Sequence, residues 1–268
     1  MKTPKSLTYL ITFSVMLMLL CANAFAQLGI SPAQKEKLRD LMETARRDSM
    51  ASRIKLMEKH RQLSRIYAEY NLNIPAAKAL NREINEIQLR LLNINLDSQI
   101  GIRRILNRDQ FEKFGKMMHH PKPRRGLGGV IEDGRHFNIN PKELDPLGLT
   151  DPQRQSLKRL WNKKGDSPLA AGRKIREKSE ELEALYGGYD LDSRRASSLI
   201  REVNAAQMEL LESRLQLQAD LRQILTEDQF NQMKESFAEK MKNSFGKPGG
   251  NRPWNRNRDL SKKDSPSR

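Results

Sequence analysis

The side chains best suited to hold a ligand in this 268-residue chain are Met117, Met118, His119 and His120, four adjacent thioether and imidazole donors. Thioether with imidazole suits copper, and imidazole alone also suits zinc or nickel. The rest of the chain gives them little support. It has four histidines in all and one cysteine, Cys21. His119-His120 precede Pro121, so a polar connector accounts for the same residues equally well. No cofactor is expected; zinc or copper is the metal these donors would take. No Ser/His/Asp grouping or phosphate-binding loop is present. Glu83 and Glu202, beside Arg82 and Arg201, read as surface or interface pairs rather than as an acid and a base. The chain is not expected to be an enzyme.

A second set of polar residues recurs in one form. Ile30-Ser31-Pro32-Ala33-Gln34, Leu106-Asn107-Arg108-Asp109-Gln110, Leu149-Thr150-Asp151-Pro152-Gln153 and Leu225-Thr226-Glu227-Asp228-Gln229 each run apolar, Ser/Thr/Asn, two variable residues, Gln. This is the pattern of a capping box. Ser31, Asn107, Thr150 and Thr226 would accept from the third backbone N–H. Gln34, Gln110, Gln153 and Gln229 would reach back to the cap residue's own N–H. Their expected role is architectural.

The third set is cationic. The formal charge is +16. Arg46, Arg47, Arg53, Lys55, Lys59, Arg61 and Arg65 lie along one predicted helix, in a chain with 11 methionines. Charge together with flexible thioether contacts suits a surface that accepts varied partners. Of these, Arg46, Arg47, Lys55, Lys59, Arg61 and Arg65 are the candidates for binding a client protein. A solvated helix face is the plainer account of the same run.

These residues are positioned by a duplicated helical frame. LGISPAQKEKLRDL at 28–41 lies over LGLTDPQRQSLKRL at 147–160, and ILNRDQF at 105–111 over ILTEDQF at 224–230, with one offset and no gap. Leu63, Tyr67, Tyr70 and Leu72 meet Leu182, Tyr186, Tyr189 and Leu191; Leu80, Asn85 and Gln88 meet Leu199, Asn204 and Gln207. Leu80, Ile84, Ile87, Leu91 and Ile94 recur at helical spacing. NLNIP at 71–75 and GGYDLD at 187–192 stop one helix and start the next. Each repeat is expected to hold a short leading helix, a helix ending at the Tyr pair, a long helix and a terminal helix.

The chain divides accordingly: 1–26, repeat 1 at 27–118, a Pro/Gly-rich linker at 119–146, repeat 2 at 147–245, and a basic tail at 246–268 expected to be disordered. Residues 1–26 have two lysines, an apolar run and Ala24-Phe25-Ala26, the order of a cleaved signal peptide. A periplasmic location is expected, and a periplasm offers a basic protein little nucleic acid. Without its leader the chain has no cysteine, so packing alone must hold it together.

Two LTxxQ-like boxes bracketing a long helical hairpin, behind a signal peptide, resemble the Spy/CpxP family of periplasmic proteins, whose relatives include zinc-resistance-associated and periplasmic heavy-metal sensor proteins. LTDPQ and LTEDQ fit the motif closely, and ISPAQ and LNRDQ are degenerate forms of it. The resemblance implies an all-α, cradle-like scaffold. With two repeats in one chain, it would be built as an intramolecular pseudo-dimer. It also implies an ATP-independent chaperone (holdase) of the envelope-stress class, binding unfolded or envelope proteins on a basic, partly apolar surface. The alternative is a metal-responsive sensor, or a regulator docking on a membrane sensor kinase or an anionic membrane surface. Homo-oligomers would be in keeping with the resemblance.

Overall fold

The computed structural model describes residues 29–118, 146–164 and 166–245. Among the described residues the chain is all-α, with seven helices. These are α1 (Pro32–Ala68), α2 (Ile74–Ile105), α3 (Arg108–Met118), α4 (Asp151–Lys164), α5 (Asp166–Gly187), α6 (Ser193–Ile224) and α7 (Glu227–Phe245). The expected signal peptide, nearly all of the linker and the basic tail lie outside the described residues.

α2 and α6 each bury one apolar stripe against their hairpin partner and a second against the other repeat. In the α1/α2 hairpin, Leu56 and Leu63 pack on Ala77, Leu80, Ile84 and Leu91, and Leu211 and Leu215 of α6 close that core. In the α5/α6 hairpin, Ile175 and Leu182 pack on Leu199, Ile200, Val203 and Leu210, and Leu92 and Leu96 of α2 close it. Leu92 and Leu211 are duplicates of one another, as are Leu96 and Leu215. Burying a leucine side chain is worth about 2 kcal/mol, so each hairpin lends the other two such contributions.

The crossing of α2 and α6 follows from this exchange. Asn85 Nδ2 donates to Asn204 Oδ1 at 3.1 Å, and Asn204 Nδ2 donates to Asn85 Oδ1 at 2.9 Å. The two asparagines are 119 residues apart, the offset of the duplication. They bond reciprocally, each donating to the other's amide oxygen across the α2–α6 crossing. Asn81, earlier on α2, donates to the Leu211 carbonyl, later on α6, at 3.2 Å. The helices therefore run antiparallel.

The corners of the crossing use one device twice. Arg222, in the last turn of α6, donates to the Tyr67 and Glu69 carbonyls at 2.7–3.0 Å, where α1 ends and its last carbonyls lack helical partners. Its duplicate Arg103, in the last turn of α2, reaches the Tyr186 and Tyr189 carbonyls at 2.7 and 3.0 Å at the end of α5. The guanidinium carbons lie 4.4 Å over Phe111 for Arg103 and 4.3 Å over Phe230 for Arg222. In return, Tyr70 donates to the Leu225 carbonyl at 3.0 Å and Tyr189 to the Leu106 carbonyl at 3.2 Å. Each repeat's hairpin turn is thus tied to the end of the other repeat's long helix.

All four capping boxes close reciprocally. The backbone N–H groups of Gln34, Gln110, Gln153 and Gln229 donate to Ser31, Asn107, Thr150 and Thr226 at 2.9–3.4 Å. Each glutamine Oε1 accepts from the cap residue's N–H at 2.9–3.1 Å. The amides do a second job. Gln34 Nε2 donates to Gln110 Oε1 at 3.0 Å and Gln153 Nε2 to Gln229 Oε1 at 2.7 Å, so the first and last boxes of each repeat are pinned together. Ahead of each first box stands a glycine in the left-handed region, Gly29 at φ 62° and Gly148 at φ 59°.

One expectation fails. Repeat 1 has no separate leading helix, because α1 runs unbroken through 37 residues. In repeat 2, α4 runs to Lys164 and α5 begins at Asp166, and residue 165 between them lies outside the described residues.

Candidate functional surface

The α1 helix carries two apolar stripes, and the frame uses only one. Leu38, Leu56 and Leu63 are buried. Met42, Met50, Ile54 and Met57 are not: they are 41%, 58%, 52% and 58% exposed. Their spacings of eight, four and three residues place them within an arc of about 120° on the helix. Arg46, Arg53 and Arg61 fall within the same arc. Glu43 is the carboxylate that shares it. Arg61 bonds Glu58 at 3.1 Å. No carboxylate among the described residues pairs with Arg46 or Arg53. The result is an exposed face about 30 Å long in which thioethers and guanidiniums alternate.

Not all of the sequence-derived candidates belong to that face. Arg47 and Arg65 lie just outside its edge, and Arg47 is 3.9 Å from Asp48. Lys55 lies on the opposite flank of the buried stripe. Lys59 is a correction: its Nζ sits 2.6 Å from Glu83 Oε2 on α2, and the side chain is half-buried. Its duplicate Lys178 lies 3.6 Å from Glu202. Glu83 and Glu202 are therefore partners of Lys59 and Lys178 across each hairpin rather than of the neighbouring Arg82 and Arg201. Met42, Met50, Ile54 and Met57 were not singled out by sequence reasoning. One helix's periodicity gives two apolar stripes and does not say which is covered.

A groove of about 320 Å³ opens between α1 and α2 at the edge of this face. Leu91 and Leu92 line it, with Arg46, Ser49 and Arg53 on the α1 side and Asn95 and Ser98 on the α2 side. No carboxylate lines it. A lining of aliphatic and neutral polar side chains, with Arg46 and Arg53 at its edge, is complementary to a side chain flanked by negative charge.

A buried polar group lies on the other flank of α1. Arg214 of α6 is buried, and burial lowers its guanidinium from the ordinary value. His60 is held below its usual range, first by burial and then by the charge of Arg214. Burial raises the Tyr67 hydroxyl, against the opposing charges of Arg214 and Arg222. Its duplicate Tyr186 is pushed up to about 12 by burial, against the charge of Arg103. The duplicates of His60 and Arg214 are Ser179 and Asn95, so this polar group is built once.

Met117 and Met118 close α3, their side chains lie outside what the structure describes, and so do His119 and His120. Among the described residues no group of three or more His, Cys, Asp or Glu stands close enough together to hold a metal. Among them, too, no helix is long and apolar enough to cross a membrane. No family model, no curated protein and no solved structure matches this chain.

Proposed function

We propose that this protein is an ATP-independent periplasmic chaperone of the envelope-stress class, a holdase that receives unfolded or partly unfolded proteins on the α1 face. The observation that carries this reading is the exposed row Met42, Met50, Ile54 and Met57 set among Arg46, Arg53 and Arg61. A large exposed apolar row is costly to keep in water and marks an interaction site. Methionine adapts its shape to varied partners, and the arginines add long-range attraction and solubility between encounters. The frame beneath, with each hairpin core closed by the other repeat, is suited to holding that row open. The LTxxQ-like boxes and their resemblance to the Spy/CpxP family point the same way.

The test is aggregation of a chemically unfolded client followed by light scattering without ATP, at low and high salt and with and without zinc or copper. Suppression near equimolar ratio that is independent of metal supports the holdase. No suppression, with a metal-dependent change in mass or thermal stability, would replace it with a metal-linked regulator.

A further inference from the structure

The face proposed to receive clients exists in only one of the two repeats. Segment 46–68 holds seven cations and two carboxylates, whereas its duplicate, 165–187, holds four cations and five carboxylates. Where α1 exposes Met50, Ile54 and Met57, α5 presents Leu169, Arg173 and Arg176. Arg53, on the rim of the groove, is matched by Gly172, and Arg61 by Glu180. Several frame residues show no such divergence: Arg103 and Arg222, Asn85 and Asn204, and Tyr70 and Tyr189 are identical and do the same work.

Resting on the chaperone reading, we infer that each chain has a single recognition site, the α1 face with its groove, and that it selects acidic amphipathic polypeptide segments. Charge complementarity identifies the occupant. Arg46, Arg53 and Arg61 would meet carboxylates on the flanks of the segment, and Met42, Met50, Ile54 and Met57 its apolar stripe. The groove beside Leu91 and Leu92 would take one of its larger side chains. A helical segment of about 20 residues is about 30 Å long, the length of the face. Helix-in-groove recognition reads anchors at this spacing. An anionic bilayer fits less well. Interfacial helices seat Trp, Phe or Leu in the membrane, and the exposed apolar side chains here are three methionines and an isoleucine, with no aromatic in the row.

The experiment measures binding of a labelled acidic amphipathic peptide of about 20 residues to the purified full chain by fluorescence anisotropy. Its comparator has lysine at every glutamate, and stoichiometry comes from titration at high protein concentration. The inference expects one peptide per chain and an acidic peptide bound at least about tenfold tighter, a difference of about 1.4 kcal/mol. Arg46→Glu with Arg53→Glu should reverse that preference. Arg173→Glu with Arg176→Glu on α5 should change it less than about twofold. All four positions are exposed, and circular dichroism would verify that the variants fold. Two peptides per chain, equal affinity for both peptides, or equal losses from the α1 and α5 variants would overturn the inference.

Two further arms name the competing occupants. Flotation with vesicles of anionic phospholipid, lost in the α1 variant while peptide binding is absent, would assign the face to lipid and overturn it. A fall in mass by sedimentation in the α1 variant would assign the face to a second copy, with the same result. Failure here leaves the chaperone reading standing if the chain still suppresses aggregation. Loss of suppression in the unmodified chain removes that reading by itself.

Discussion

The two hairpins share their main contacts with each other and differ most where they face solvent on their first helices. Asn85 and Asn204 bond to one another, Arg103 and Arg222 cap opposite turns, and Leu92 and Leu211 fill opposite cores. These residues stand at equivalent positions, and each packs against the other half. The outer face of α1 is exposed instead. There repeat 1 has Met50, Arg53, Ile54, Met57 and Arg61 where repeat 2 has Leu169, Gly172, Arg173, Arg176 and Glu180. The contrast teaches where to look for function in a duplicated chain: at the face the duplication does not share.

The comparison can be broken first in the core. Leu92→Ala and Leu211→Ala should each cost about 3 kcal/mol, and urea unfolding should give values that agree within about 1 kcal/mol. A large inequality would show that the halves do not support each other equally. Next come the corner arginines. Arg103→Ala and Arg222→Ala each leave helix-end carbonyls without their charged donor, at a cost of about 2 kcal/mol, again to be matched between the halves by thermal and urea melts. Smaller still are Gly29→Ala and Gly148→Ala. Each forces a side chain into the left-handed region for about 1 kcal/mol, with no clash to add, since nothing lies within 4 Å of the new Cβ.

The smallest effect sharpens the difference between the halves. His60 is held below its ordinary value of 6.5. As pH falls through that value the unfolded chain takes up the proton before the folded chain does. Stability therefore falls from about pH 6.5 down to the folded-state value, and His60 contributes no dependence above it. His60→Ser, which copies Ser179 of repeat 2, should flatten the decline measured between neutral and mildly acidic pH. An unchanged slope would mean that His60 is not the group that titrates.

Much of this frame was legible because its signals are local. A capping box spans four residues, and a turn such as 71–75 is written in its own Asn and Pro. The separate leading helix expected in repeat 1 is absent because Arg46-Arg47-Asp48-Ser49 contains no Gly or Pro to stop α1. Arg103 and Arg222 are identical at the repeat offset, yet a basic residue in a last turn looks ordinary until the helix it caps is known. Lys59 was counted among surface cations because nothing in sequence shows that Glu83 stands across from it. The exposed methionines were hidden for the same reason, since burial depends on which neighbour covers a stripe.

The most direct measurement is aggregation suppression by two matched variants of the full chain. One changes the α1 face (Arg46→Glu, Met50→Ser, Arg53→Glu, Met57→Ser) and the other its α5 counterpart (Leu169→Ser, Arg173→Glu, Arg176→Glu). The account predicts that the first loses suppression of a chemically unfolded client while its melting temperature stays near that of the parent, and that the second keeps it. Suppression retained by both variants, or lost equally from both, would contradict a one-sided client surface.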